Sequence, residues 1–423
     1  MKILVISDVP WSDDNSVGNT YSNIFKNMKG VEFANLYCKP GIPNSKIVKK
    51  YYQITEKKLL MDLIGKKYQE SEIQNAQPKK KEHKLYDMAR ILRFQAFFII
   101  RELIWKIGRW RNKKLDEFID EYKPDIIFSF CLESIYYIDV IEYCRNFSNA
   151  KLALFFADDV YSYIKRNPLY VIYKHYSRIK MKDLVNTSDL IYGATPQLCD
   201  EYSVIFKKRI KLLYKICENI SNNKLDVNFP LKIIYTGNLF YGRWKTLALI
   251  AKSIKEINSN GIKVQLSIYT TGLTTKKMDN VLNLEGASRL LGAIPYEQVK
   301  EELRNSDIVL HVESFDKKEI RKTRLSFSTK IVDCMQSGSC LLAVGPVETA
   351  SVKLLKDYKI AQVVSSNNKE TIKSTILKLL DNKSILIDTA YSMYRFALKN
   401  HSVNYLENNL YIDMEKLAKE DDV

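Results

Sequence analysis

Residues 324–346 read Arg-Leu-Ser-Phe-Ser-Thr-Lys-Ile-Val-Asp-Cys-Met-Gln-Ser-Gly-Ser-Cys-Leu-Leu-Ala-Val-Gly-Pro. The stretch divides into a loop, a short helix, a buried strand and a turn. Ser328 or Thr329 is placed to cap the helix, and Ile331, Val332, Cys334 and Met335 supply its apolar face. Gly338 falls where a helix-ending glycine belongs, and the unbroken apolar run 340–344 fits a strand covered on both faces of a parallel sheet. The loop before the helix offers free backbone N–H groups, with Lys330 in the first turn and Asp333 three residues on, on the same helical face. A cation at a phosphate and a carboxylate one turn along, at a ribose hydroxyl, suit a nucleotide diphosphate. A plain surface helix with an i,i+3 ion pair fits the same spacing equally well.

Working outward, the 423 residues accommodate two domains, and 46% hydrophobic with 27% charged residues describe a globular chain. The seven cysteines are odd in number and scattered, without Cys-x-x-Cys or a Cys/His cluster, which argues against a disulfide or zinc framework and for a reducing cytoplasm. The opening Met-Lys-Ile-Leu-Val-Ile-Ser-Asp reads as a first buried strand, not a secretory signal, and no stretch of 18 uncharged apolar residues predicts a transmembrane helix. The net charge of +17 fits nucleic acid, an anionic membrane or an acidic substrate.

Strand-like runs at 3–7, 33–37, 125–130, 152–156, 189–193 and 210–214 alternate with helical stretches. A second series follows at 232–236, 264–269, 281–284, 308–312, 341–344 and 360–364. Such alternation predicts two doubly wound α/β halves. The domains are a first half at 1–215, an Asn/Ser-rich linker at 216–230, a second half at 231–384 and C-terminal helices at 385–423. Ligands of such sheets collect past the strand C-termini. There, Gly18 and Asn19 open a helix and suit an acceptor or simply a turn. Asp158 and Asp159 follow a buried strand, as a base or acceptor ligand or as a helix cap. Gly237 ends a strand, and Arg243 and Lys245 crowd a helix start, where the dipole disfavours cations unless an anion joins them. No Walker or full dinucleotide-binding motif is present.

Residues 45–115 break the alternation and read as a helical insertion. From Lys79 to Lys114 it holds twelve Lys/Arg against three Asp/Glu, a local charge of +9. Apolar residues recur at helical spacing among Arg93, Arg101, Trp105, Lys106, Arg109 and Trp110, which fits a membrane-surface helix or a core-packed helix with a solvated basic face. Without an RNA-binding signature, nucleic acid is not expected.

Asp-Ile-Val-Leu-His-Val-Glu-Ser at 307–314, a loop, then Phe-Ser-Thr-Lys-Ile-Val-Asp-Cys-Met-Gln-Ser-Gly at 327–338 resemble the C-terminal half of the retaining, family-4 type of GT-B glycosyltransferases, those of bacterial capsule and surface polysaccharides especially. The resemblance implies an α/β GT-B fold, two Rossmann-like domains facing across a cleft, with the C-terminal helices returning to the first. It implies a nucleotide-diphosphate sugar donor, no cofactor and no metal. Arg243, Lys245 and Lys330 would hold the diphosphate beside Gly237, Ser328 and Thr329; Asp333 would hold the ribose. Gly292, Ile294 and Pro295 would line the base pocket and Glu313 would meet the sugar. Asp158, Gly18 and Asn19 would face a glycan or lipid-diphosphate-linked acceptor, with the enzyme peripheral on the inner face of the plasma membrane. Asp333 stands where the family usually has Glu, and Leu325 stands where it has an upstream acid. A silent scaffold of the same fold bound to a membrane or polyanion, or a sugar-nucleotide epimerase, are the competing readings.

Overall fold

Apolar runs in this chain become strands because helices cover both sheet faces, so neither side of the strand needs to be polar. The computed structural model describes residues 1–65, 96–164, 167–217 and 226–419. The chain forms two units, Met1–Leu213 with Glu407–Val423, and Tyr214–Leu406.

The first unit carries a parallel sheet ordered β3-β2-β1-β4-β5-β6-β7. Its strands are β1 (Lys2–Ser7), β2 (Glu32–Tyr37), β3 (Val48–Gln53), β4 (Ile126–Phe130), β5 (Lys151–Phe156), β6 (Leu190–Gly193) and β7 (Lys211–Leu212). Ile3, Leu4, Val5 and Ile6 are fully buried at its centre. Against them, Trp11, Tyr21, Phe25, Phe33 and Phe128 pack as one aromatic cluster under the helix Ser16–Phe25. Asn15 caps that helix by accepting the Gly18 N–H at 2.7 Å. A Cβ at Gly18 would lie 2.2 Å from the Ser12 carbonyl oxygen, so the close backbone approach itself accounts for the glycine.

The second unit carries a parallel sheet ordered β10-β9-β8-β11-β12-β13. Its strands are β8 (Leu231–Thr236), β9 (Val264–Tyr269), β10 (Ser288–Gly292), β11 (Ile308–Val312), β12 (Cys340–Val344) and β13 (Gln362–Val364). The strand expected at 281–284 is corrected: the helix Lys276–Leu282 takes the first half of that stretch, and the strand follows as β10. Leu282 is buried in the core, an apolar residue that suits either element.

The insertion is also corrected. It begins with an edge strand, β3, and continues as the helices Glu56–Leu63 and Ala96–Ile107; Arg93 lies outside the described residues. Trp105 and Trp110 are only 1% and 5% exposed, so the lipid contacts expected of them are overturned. Trp105 stacks on Tyr136 with ring centroids 4.4 Å apart, and the Trp110 indole N–H donates to the Trp105 carbonyl at 3.0 Å. Arg101 pairs with Glu56 at 3.1 Å, while the Glu102 carboxylate accepts the N–H groups of Ile135 and Tyr136 at the start of the helix Ile135–Ser148. These contacts seal the helix against the first unit. Lys106 and Arg109 are exposed.

The return expected from residue 385 begins later. The helix Lys383–Asn400 belongs to the second unit, with Leu386 in its core. The segment from Glu407 joins the first, where Asp413 accepts from Tyr192 at 3.0 Å and from Lys211 at 2.6 Å. We expect Gly18→Ala to cost the first unit about 1–3 kcal/mol through overpacking. Trp11 fluorescence during denaturant unfolding would record the loss.

Candidate functional site

In a sheet wound outward in both directions, ligands gather where neighbouring strands send their connections to opposite faces. In the second unit that point lies between β8 and β11. Arg243, the first residue of the helix Arg243–Ile257, reaches into it. Its Nε and Nη2 donate to the two carboxylate oxygens of Glu313, just past β11, at 3.2 and 2.9 Å. Its Nη1 donates to the Asn238 side-chain oxygen, just past β8, at 3.0 Å.

Lys330 completes the cluster, with its ammonium 5.7 Å from the centre of the Tyr235 ring. A Cβ on Gly237 would lie 1.8 Å from that ammonium, so the glycine is what leaves room for it. Tyr235, Arg243, His311, Ser328, Lys330 and Cys334 line a small pocket here. The His311 Nε2 is buried without a hydrogen-bond partner, 3.6 Å from Glu313.

Burial, with Arg243 adding to it, pushes the Lys330 ammonium down to about 8. Burial first, then Arg243 and Lys330, hold His311 neutral by lowering it to about 3. Burial raises the Glu313 carboxyl, and Arg243 and Lys330 oppose that shift. With Glu313 ionised in its bidentate pair, two partly buried cations face one carboxylate and a neutral imidazole. The excess positive charge suits an anion, and an anion with two or more oxygens can meet both cations.

Lys245 stands apart from this cluster, which corrects its expected role beside Arg243. Two residues on, it points about 200° round the helix, is exposed, and lies 3.6 Å from Asp316. Ser328 borders the pocket and its N–H donates to Ser351, whereas Thr329 is exposed and makes no side-chain cap, correcting the cap expected of either residue. Asp333 pairs with Lys215 at 3.3 Å. Gly292 ends β10, two strands from β8, and Ile294 and Pro295 follow in the loop before the helix Tyr296–Asn305. Leu325 is buried.

In the first unit, Asp158 follows β5 with its side chain exposed, while Asp159 accepts from the Ser162 N–H and the Tyr202 hydroxyl. The Asn19 N–H donates to the Asn15 carbonyl at 2.9 Å. A pair missed from sequence lies past β4: Glu133 accepts from Lys174 at 3.0 Å and from Tyr170 at 2.7 Å. Lys174 also donates to the Val160 carbonyl, and burial lowers its pKa despite Glu133. Glu133 follows a strand end, a usable signal; Lys174, forty-one residues on, carries none. Among the described residues, no three His, Cys, Asp or Glu side chains group to hold a metal ion.

Gly237→Ala should displace the Lys330 ammonium and weaken binding of a pyrophosphate probe at this pocket roughly ten- to a hundredfold, measured by calorimetry. Because Lys330 is charged below about 8, affinity should hold below that pH and fall as pH rises through it. Lys330→Arg, with a guanidinium that stays charged, should remove this dependence.

No protein-family model matches the sequence, and no curated protein does. Solved structures do. The sucrose-phosphate synthase of Thermosynechococcus elongatus aligns over 100% of both chains with a TM-score of 0.62 at 11% identity. HepE of Anabaena in complex with UDP aligns over 98% of this chain and 100% of its own, with a TM-score of 0.61 at 12% identity. A UDP-forming α,α-trehalose-phosphate synthase from Burkholderia xenovorans, in complex with glucose-6-phosphate, aligns over 98% and 100%, with a TM-score of 0.59 at 9% identity. At these identities the likeness concerns the fold: two parallel α/β sheets with flanking helices, in the GT-B class.

Proposed function

We propose that this chain is a nucleotide-sugar-dependent glycosyltransferase whose donor diphosphate binds the Arg243–Lys330 pocket of the second unit. The observation that carries the reading is the uncompensated positive charge at the β8/β11 switch point. A GT-B fold shared with proteins solved in complex with UDP and UDP-glucose supports it.

In this scheme Arg243 and Lys330 stabilise the charge that develops on the leaving diphosphate. Glu313, expected to meet the sugar, has both carboxylate oxygens on Arg243 and positions that residue instead; Asp333 holds the ribose, and the scheme needs no metal. Asp158 and Asn19 are the proposed acceptor contacts, with a glycan or lipid-linked acceptor; Gly18, expected beside them, is buried with its N–H on Asn15 and serves the turn instead. Retention of anomeric configuration, a role in bacterial surface-polysaccharide synthesis and a place on the cytoplasmic face of the membrane follow from the sequence resemblance and belong to the proposal. Among the described residues no helix is long and apolar enough to cross a membrane. A silent scaffold of the same fold is favoured by one observation: Leu325 stands buried where the resemblance calls for an acid.

The test is a thermal-shift panel of UDP-, GDP-, ADP- and TDP-sugars on the wild type and Lys330→Ala. A donor at 100 times its Kd should add about 2.7 kcal/mol of stability to the wild type alone. Donor hydrolysis without acceptor separates enzyme from scaffold, and NMR of the transferred sugar reads retention. Stabilisation by no donor would overturn the assignment.

A further inference from the structure

The helix Pro168–Thr187 is apolar on two sides. Its inner side buries Tyr170, Tyr173, Met181, Leu184 and Val185. On its outer side Leu169, Ile172, Tyr176 and Ile179 recur at intervals of three, four and three, and each is 47–60% exposed. That spacing places all four on one stripe. A soluble surface helix would carry polar residues there.

A second stripe lies on another helix of the same unit. On the helix Ala96–Ile107, Ile100, Leu103 and Ile107 are exposed at intervals of three and four. The two helices are tied together: the Tyr173 hydroxyl donates to Glu102 at 2.9 Å. Ile172 and Leu103 adjoin those two residues in sequence, so each stripe has a member one residue from the contact. The exposed charges on the two helices and within four residues of their C-terminal ends are mainly basic, Lys106, Arg109, Arg111 and Lys182 against Asp183 and Asp189, with His175 between Leu169 and Ile179.

We propose that these paired stripes seat the first unit on an anionic lipid surface, with the apolar residues entering the headgroup boundary and the basic residues meeting lipid phosphates. The chemistry selects this occupant. Apolar side chains alone would suit many partners, but a basic rim calls for an anionic one. A second copy of this chain would bring the same cations against themselves in a two-fold interface. Tyr176, apolar in its ring and polar at its tip, suits a membrane interface. This deepens the membrane reading above, moves it from the buried tryptophans to a different face, and is independent of the donor site.

The test is co-sedimentation of the full chain with vesicles of phosphatidylcholine, with and without about 30% phosphatidylglycerol. We expect partition onto the anionic vesicles, weakened by salt, and at least a tenfold loss in Leu169→Ser/Ile172→Ser/Ile179→Ser. Ile100→Ser/Leu103→Ser/Ile107→Ser, on the other helix, should show a similar loss. Unchanged thermal unfolding and unchanged nucleotide-sugar thermal shifts would show that both variants fold and that the donor site is untouched. Failure of the wild type to bind either vesicle, or equal binding by folded variants and wild type, would overturn the proposal. So would a mass in solution that doubles with concentration in the wild type and not in the variants, without vesicle binding; that result would assign the face to self-association.

Discussion

One buried ion pair organises the second unit. Arg243 comes from the start of a helix and Glu313 from the end of a strand, seventy residues away, and their bidentate contact spans the point where the sheet reverses its winding. Neither charge could stand there alone, since an unpartnered buried charge costs about 3–5 kcal/mol. The pair therefore fixes the helix start relative to β11, and with it the rim of the pocket. Lys330 enters a site already neutralised once, so its ammonium is the charge left over.

That excess charge shows what the pocket is built to hold. A structural ion network tends towards neutrality, because burial penalises any remainder. Here two cations, one carboxylate and an imidazole kept neutral by burial share a confined space, and Gly237 omits a side chain to admit the second cation. A protein selected only for stability has cheaper ways to fill this volume. An anionic ligand explains the arrangement, and the location at a switch point is where the fold places ligands in any case.

The first unit repeats the sheet logic with different content. Past β4 its switch point carries Glu133, satisfied by Lys174 and Tyr170, so this polar cluster is close to balanced where the second unit's is not. Its distinctive property lies on the outside, where two adjoining helices leave apolar stripes in water. Trp105 and Trp110, the residues most suggestive of membrane contact in sequence, are the ones that pin one of those helices in place.

The sequence by itself determined the alternation of strands and helices, the two α/β halves and most strand positions, because apolar runs of five or six residues flanked by turn residues leave few other solutions. It also singled out Arg243, Glu313 and Lys330, through their places at strand ends and helix starts. Only the tertiary structure decided how these charges pair. Arg243 turns to Glu313 while Lys245, two residues on, faces outward, and Asp333 meets Lys215 across 118 residues. Helical phase inside an element is readable from spacing; partners across elements are not, because they depend on how each element is rotated and docked. The same limit explains the insertion: periodicity showed that the helix Ala96–Ile107 has two unlike faces, and packing against Tyr136 and Glu56 chose which one is buried.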